Sequence, residues 1–260
     1  MTKSIPVIGT AVVNLPFWVE RLITSIDYPT DNLVIFDNNG RGQITEDLDN
    51  MAKISHPHIK KITVCHLPSN IGCSGAWNMI IKCYMNSPYW IIVNHDIQFT
   101  PGFLEEMVTK AEDPEVGMVH AAAGDFENVG SFELFLLKDW VVKKIGLFDE
   151  NLYPAYGEDA DYIMKLNNNK IKRIYGISKP YYHGGGTNYY ETGMQTKRGE
   201  PGLWDKLNKV NEINFEYLTK KWGAGWRQMN PWRYPFNNED IPFTITSYDL
   251  EYVRKKNLGF

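Results

Sequence analysis

The amino-acid sequence predicts an α/β fold with a mainly parallel central sheet and flanking helices, and three observations carry that expectation. Short apolar runs alternate with stretches of helical spacing, the order that βαβ units produce. Tyr89 to Val93 is apolar throughout, as a strand covered on both faces should be. Each run also ends in polar residues, Asn14, Asp37, Asn70 and Asp96, and open α/β sheets bind ligands beyond the carboxyl ends of their strands.

The elements follow in order. Ile5 to Val13 reads as a strand, and Val19, Leu22, Ile23 and Ile26 give Phe17 to Ile26 a helical stripe. Leu33 to Phe36 is a second strand, stopped by Asp37-Asn38-Asn39-Gly40, whose residues favour turns and left-handed backbone. Ile44 to Ile54 can form a helix and Ile62 to Leu67 a third strand. Pro68 to Gly75 is a glycine-punctuated loop opening a helix with Trp77, Ile80, Ile81 and Tyr84 at i, i+3, i+4 and i+7. After the Tyr89 to Val93 strand come Asn94-His95-Asp96. The second half is less regular. Val116 to His120, Phe132 to Leu137 and Ile171 to Tyr175 resemble strands, while Asp139 to Ile145 and Asp159 to Leu166 resemble helices. Leu203, Leu207, Val210, Ile213 and Tyr217 mark an amphipathic helix ending at Trp222-Gly223. Pro231, Pro235 and Pro242 among aromatics then predict a non-helical wrap.

The totals are consistent with this. At 260 residues the chain suits one sizeable core with an elaboration. The expected division is a main domain over 1–223, with halves at 1–115 and 116–223, and an aromatic extension over 224–260 packed on it. An apolar fraction of 43% and a charged fraction of 22% are those of a globular protein. A net charge of -4 leaves no basic footprint for a nucleic-acid backbone. No run of about 18 apolar residues is present, so no transmembrane segment is expected. Cys65, Cys73 and Cys83 follow no disulfide or metal spacing, which points to reduced thiols and a cytoplasmic setting.

Four groups of residues carry candidate chemistry. Asp96 directly follows a buried strand, where a carboxylate costs desolvation unless it is compensated; a divalent cation on phosphates would compensate it, and a loop cap is the alternative. His183, before Gly184-Gly185-Gly186, lies where backbone can approach a ligand, and an imidazole beside a carboxylate suits Mn²⁺ better than Mg²⁺; a hydrogen-bonded turn histidine is the other reading. Glu158, Asp159 and Asp161 open a helix, where acids are favoured by the macrodipole alone, but three acids in four positions exceed that need. One of them, facing a crevice, could accept a proton from an attacking hydroxyl. The small-residue segment from Pro68 to Asn78 opens a helix as anion-binding loops do, without the ending of a P-loop or the dinucleotide fingerprint.

Taken together and in this order, the motifs resemble family 2 glycosyltransferases of the GT-A fold, over roughly residues 5 to 223. The matching segments are Val34-Ile35-Phe36-Asp37-Asn38-Asn39-Gly40, Asn70-Ile71-Gly72 with Asn78, and Val93-Asn94-His95-Asp96-Ile97 with Pro101-Gly102-Phe103-Leu104. Further on they are Ile145 to Glu150, Tyr156-Gly157-Glu158-Asp159-Ala160-Asp161 and Lys221-Trp222-Gly223. The resemblance implies a nucleotide-sugar donor, UDP- or dTDP-linked, with Asp37 reading the pyrimidine edge. It places Ala11, Val13, Asn38, Asn70, Gly72, Trp77, Asn78, Asn94 and His95 on the donor side. It implies a divalent metal, Mn²⁺ favoured, on Asp96 and His183, with Asp159 as general base of an inverting displacement. Glu158, Asp161, Tyr156 and Trp204 fall on the side of a glycan acceptor. Separately from the resemblance, Tyr189, Tyr190, Trp204, Trp226 and Trp232 are a candidate acceptor-side aromatic wall, or else rings that pack the last helix and the tail onto the sheet. Three positions depart from the family pattern: Val12-Val13 replaces a Thr/Ser-Tyr pair, Trp77 replaces an arginine, and Asn94 replaces the first acid of the metal motif. A sugar nucleotidyltransferase would need a basic glycine-rich loop after the first strand, which Gly9-Thr10-Ala11-Val12-Val13 does not supply. A degenerate transferase fold that only binds carbohydrate would have no need of Asp96, Asp159 and His183 together.

Overall fold

The computed structural model describes residues 4–122, 132–184 and 202–244. Strands β1 (Ile5–Val12), β2 (Thr30–Asp37), β3 (Ile59–His66) and β4 (Tyr89–Val93) form the parallel half of a seven-stranded sheet. Strands β6 (Val116–His120), β7 (Leu134–Lys138) and β8 (Lys172–Tyr175) complete it in the order β3-β2-β1-β4-β7-β6-β8. β7 runs antiparallel to both β4 and β6, with Ile91 opposite Leu136 and Val119 opposite the same residue. The mainly parallel sheet expected from the sequence is therefore interrupted once. A separate two-stranded ribbon pairs β5 (Ile97–Phe99) with β9 (Tyr181–His183).

Helices α1 (Phe17–Thr24), α2 (Thr45–Met51), α3 (Gly72–Cys83), α4 (Phe103–Lys110), α5 (Asp139–Ile145), α6 (Glu158–Asn168) and α7 (Leu203–Trp222) cover both faces. On one face, Val19, Leu22 and Ile23 of α1, Leu48 of α2 and Met107 of α4 bury against Ile5, Ile8 and Val12 of β1 and Ile91 of β4. On the other, Trp77 and Ile80 of α3, Val141 of α5, Tyr162 of α6 and Leu218 and Trp222 of α7 bury against Val7, Phe36, Ile92 and Phe135. The strand side chains alternate between these two cores because successive residues of a strand point to opposite faces. Gly9 lets α3 approach β1 closely, since a methyl there would overlap the Ile80 side chain.

Beyond α7 the chain makes short 3-10 turns at Ala224–Gln228 and Pro235–Asn237, local order inside what the prolines suggest is a wrap. Trp226 is buried, the Trp232 amide donates to the Trp222 carbonyl at 2.7 Å, and Phe243 stacks on Trp222 at 6.2 Å. Among the described residues no helix is long and apolar enough to cross a membrane.

Candidate active site

The exits of β1, β2 and β4 meet at one groove. It has a volume of about 140 Å³ and is lined by Ala11, Val13, Asn38, Asn70, Gly72, Cys73, Trp77, Val93, Asn94, Pro154, Ala155, Leu203 and Leu207. The local chemistry explains why these residues converge. The Asn38 side chain accepts from the Ile71 amide at 2.8 Å and donates to the Gly72 carbonyl at 3.3 Å. Asn70 closes the loop on itself by accepting from the Gly72 amide at 2.8 Å. Gly72 has φ +77°, and a Cβ on it would press on Pro154 O and the Tyr153 ring at 2.9 Å. A side chain at this position would thus have to break both the left-handed turn and the contact with the 153–154 segment.

Seven of the expected donor-side residues line this groove, and three do not. Asp37 is buried beside it with its carboxylate committed. It accepts from the Asn39 amide at 3.1 Å and Thr45 Oγ1 at 3.1 Å, and it meets His66 Nδ1 at 2.9 Å. The hydrogen bonds to Asp37 and then Asp49 hold the His66 pKa above its ordinary value. Asn78 faces inward: its amide donates to Phe148 O at 2.9 Å and Glu150 Oε1 at 2.8 Å, and its Oδ1 accepts from the Phe148 amide at 3.0 Å. It fastens α3 to the 148–150 loop. His95 is buried, its Nε2 has no hydrogen-bond partner among the described residues, and burial pushes its pKa down. Trp77 combines two surroundings: its indole packs edge-on against Phe135 and Phe148 at 5.4 and 4.9 Å while one part borders the groove.

At the end of β4, Asp96 Oδ1 lies 3.3 Å from His183 Nε2. The ribbon brings them together, because Ile97 pairs with His183 across β5 and β9 and the Gly184 amide donates to the Asp96 carbonyl at 2.7 Å. Burial alone would raise the Asp96 pKa, but the His183 hydrogen bond and the nearby imidazoles outweigh it and hold the carboxyl low. Burial likewise acts to lower the His183 pKa, and Asp96 reverses it, so His183 is raised. Among the described residues no group of three or more His, Cys, Asp or Glu side chains forms a metal cage; Asp96 and His183 stand as a pair.

The three acids of α6 separate. Asp161 is fully buried, accepting from Trp222 Nε1 at 2.8 Å and pairing with Lys221 Nζ at 2.6 Å. Glu158 is buried too, and burial followed by the charge of Asp159 pushes its pKa up to about 8. Asp159 alone is exposed. It lines a second groove of about 410 Å³ with Tyr156, Gly157, Ala160, Ile163, Met164, Asn211, Phe215, Trp226, Arg227 and Met229. Its Oδ1 accepts from the Ala160 amide at 2.7 Å. Protein atoms crowd the carboxylate despite its open surface, and with the charge of Glu133 they keep its pKa above the ordinary value. Tyr156, at φ +74°, has its phenol pushed up to about 12 by burial and by Glu158. The Trp204 side chain, Tyr189 and Tyr190 lie outside the described residues, and Trp232 is half-exposed with its ring against Gly223.

Glu133 is the site residue that motif reading passes over. Its carbonyl accepts from the Asn94 amide at 2.7 Å, Tyr181 donates its hydroxyl to Oε1, and its charge bears on both His183 and Asp159. It precedes β7, and only the antiparallel pairing of β7 with β4 carries it to Asn94. An acid inside an otherwise apolar run, Phe132-Glu133-Leu134-Phe135, was the available signal.

A mainly parallel sheet with strand exits feeding one groove, an acid at the end of its central strand and an acidic helix start on a neighbouring groove define a GT-A type of α/β protein. Residues 12–172, well over half of the chain, match glycosyl transferase family 2, and the chain belongs to that family. It is similar to a galactofuranosyl glycosyltransferase of Leishmania donovani, 21% identical over 276 aligned residues that cover 78% of this chain and 64% of that protein. The chain thus spans under two thirds of that relative's length. The fold is similar to that of the mannosyltransferase PcManGT from Pyrobaculum calidifontis, solved in complex with GDP-Man and Mn²⁺. The TM-score is 0.52 at 17% identity over 68% of this chain and 58% of that one. It is also similar to S. aureus TarS, with a TM-score of 0.53 at 16% identity over 90% of this chain and 71% of that one.

Proposed function

We propose that the chain is an inverting glycosyltransferase that moves a sugar from a nucleoside diphosphate donor to a hydroxyl of a glycan or similar acceptor. The observation that carries this reading is the separation of the acids: of Glu158, Asp159 and Asp161, only Asp159 opens on a groove. Family membership supports it, as does the mannosyltransferase neighbour that binds a nucleotide sugar with Mn²⁺.

In this reading the first groove takes the donor. Its volume of about 140 Å³ is below the roughly 300–1,000 Å³ of a whole ligand pocket, so it accommodates the base end, over Ala11, Val13, Asn38 and Asn70. UDP- or dTDP-sugars are the favoured donors. Asp37 contributes by fixing the Asp37-Asn39 turn and Asn38 by fixing the glycine loop. Asp96 and His183 would hold a divalent cation. A carboxylate and an imidazole 3.3 Å apart are a donor set that fits Mn²⁺ better than Mg²⁺, with His183 neutral when it ligates. Such an ion, when bound, neutralises charge on the departing diphosphate. Asp159 takes the proton of the attacking hydroxyl, and its raised pKa makes it a stronger base than an ordinary aspartate. Displacement is direct, with inversion and no covalent intermediate.

The test is nucleotide release from a panel of UDP-, dTDP- and GDP-sugars with Mn²⁺, Mg²⁺ or a chelator. Release is expected only with metal. Asp96→Ala is expected to lose metal-dependent donor binding, whereas Asp159→Asn keeps it. Metal-independent binding of every donor tried, with no release, would instead identify a carbohydrate-binding derivative of the fold.

A further inference from the structure

The second groove carries more recognition chemistry than proton removal requires. At about 410 Å³ it falls within the roughly 300–1,000 Å³ range of small-molecule sites. Its far wall comes from α7 and the turn after it. There Phe215 and Trp226 meet edge-on at 5.5 Å, and the Arg227 guanidinium lies 4.7 Å from the Phe215 ring and 5.5 Å from the Trp226 ring. Stacking fixes the plane of a guanidinium while leaving its N–H edge free for a planar acid. Arg227 forms no ion pair with any described residue, and it is absent from the charges that act on Asp159, the one carboxylate among the described residues lining the same groove. Arg227 is exposed, so its guanidinium edge is open to a ligand at the groove wall.

A second orphan lies beside it. Asn211 Oδ1, on the same groove, is buried without a hydrogen-bond partner among the described residues. A buried acceptor left empty costs free energy that a hydroxyl donor would recover. The apolar side is supplied by Ile163, Met164 and Met229.

We propose that this groove binds the acceptor through an anionic group, carboxylate or phosphate, gripped by Arg227. A sugar hydroxyl donates to Asn211 Oδ1, and a ring face lies against Trp226 and Met229. The acceptor is thereby an acidic carbohydrate, oriented so that a second hydroxyl reaches Asp159. This rests on the transferase reading only for the role of Asp159; the anion grip stands on Arg227 and Asn211.

The experiment measures binding to the full chain by ligand-observed NMR titration, without donor or metal, using three probes. Methyl β-glucuronide carries a carboxylate, glycerol 1-phosphate a phosphate, and methyl β-glucoside no charge. At least one charged probe is expected to bind more tightly than the neutral one, and which of the two does so assigns the source of the charge. Arg227→Gln is expected to weaken that probe about tenfold, the size of a charge-assisted hydrogen-bonded pair, and to leave the neutral probe unchanged. Arg227 is on the surface, so this variant should fold. Asn211→Asp, on another element, sets a carboxylate against the anion and is expected to weaken the charged probe alone. The proposal fails if the neutral probe binds as tightly as both charged ones, or if neither variant discriminates between them. Charged-probe binding in a protein that never releases nucleotide would sink the transferase reading and leave this one standing; nucleotide release without charge preference would do the reverse.

Discussion

Glu158, Asp159 and Asp161 share one helical turn and have three different environments, and helix geometry explains the division. Positions i, i+3 and i+4 share a face, so Glu158, Asp161 and Tyr162 project together into the core and all three are buried. Asp159 is rotated by about 100° and emerges on the second groove. The same stripe, Glu158-Asp161-Tyr162-Lys165-Leu166, was available in the sequence and already singles out Asp159. Asp159→Asn is expected to lower kcat by about 10²- to 10⁴-fold, the worth of a positioned base, with donor affinity and melting temperature nearly unchanged. The base must be ionised, so kcat/KM rises as pH climbs through its pKa. Crowding and then Glu133 hold that pKa above the ordinary 3.8, which puts the acid limb of the profile above pH 3.8 as well. Glu133→Gln should move the limb to lower pH; a limb that stays in place removes Glu133 from the base's surroundings.

At the scale of elements, the half of the fold built from β1 to β4 was legible because each strand is an apolar run bounded by turn residues. Strands β2 and β3 begin three residues earlier than the runs Leu33–Phe36 and Ile62–Leu67 suggest, since polar residues at the start of a strand still complete a ladder. The three-residue strands β5 and β9 left too few apolar positions to show a period, whereas α4 carries a helical stripe in Phe103, Leu104, Met107 and Val108 that the sequence reading passes over. The direction of β7 is not written in Leu134–Lys138 at all, because an apolar strand buried on both faces suits either orientation. Within the site, strand exits and the acidic helix were readable, while Glu133, Arg227 and Asn211 depend on tertiary pairing. Lys221-Trp222, matched only as a family ending, proves to be the clamp of α7. Lys221 Nζ sits 2.6 Å from both Asp149 Oδ2 and Asp161 Oδ1, and Tyr217 donates to Asp149 at 2.8 Å. Lys165 is left nearby with its charge opposed by burial and its pKa pulled down to about 8. Lys221→Met removes the central cation of a closed cluster and strands two buried carboxylates. The expected loss is about 3–5 kcal/mol, read as a fall in the urea midpoint. A loss under about 1 kcal/mol would class the cluster with surface pairs and contradict its burial.

For the whole molecule, the two faces of the sheet have unequal electrostatics. The core under α1, α2 and α4 is apolar, whereas the core under α3, α5, α6 and α7 encloses Asp149, Glu158, Asp161, Lys165 and Lys221. Stability should therefore depend on pH through that second core, and two groups pull in opposite directions. Burial opposes ionisation of Asp149, but Lys221 and Lys165 overcome it and bring its pKa from 3.8 down to about 2. Its contribution is present above pH 3.8 and is lost as pH falls toward 2. Glu158 is the reverse case. Its pKa is raised from 4.5 to about 8 by burial and by Asp159, so the folded chain binds more protons than the unfolded one between those values. Stability then declines as pH rises from 4.5 toward 8, with a slope approaching about 1.4 kcal/mol per pH unit from this single group. Glu158→Gln keeps the shape and cannot ionise. Its melting temperature should exceed that of the parent by several degrees at pH 8, at roughly 2–4 °C per kcal/mol for a chain of this size, and by little at pH 5. Equal differences at the two pH values would mean that Glu158 is ionised in the folded chain. The acid beside Asp159 would then be a second anion at the groove, and Asp159 would no longer be the single candidate base.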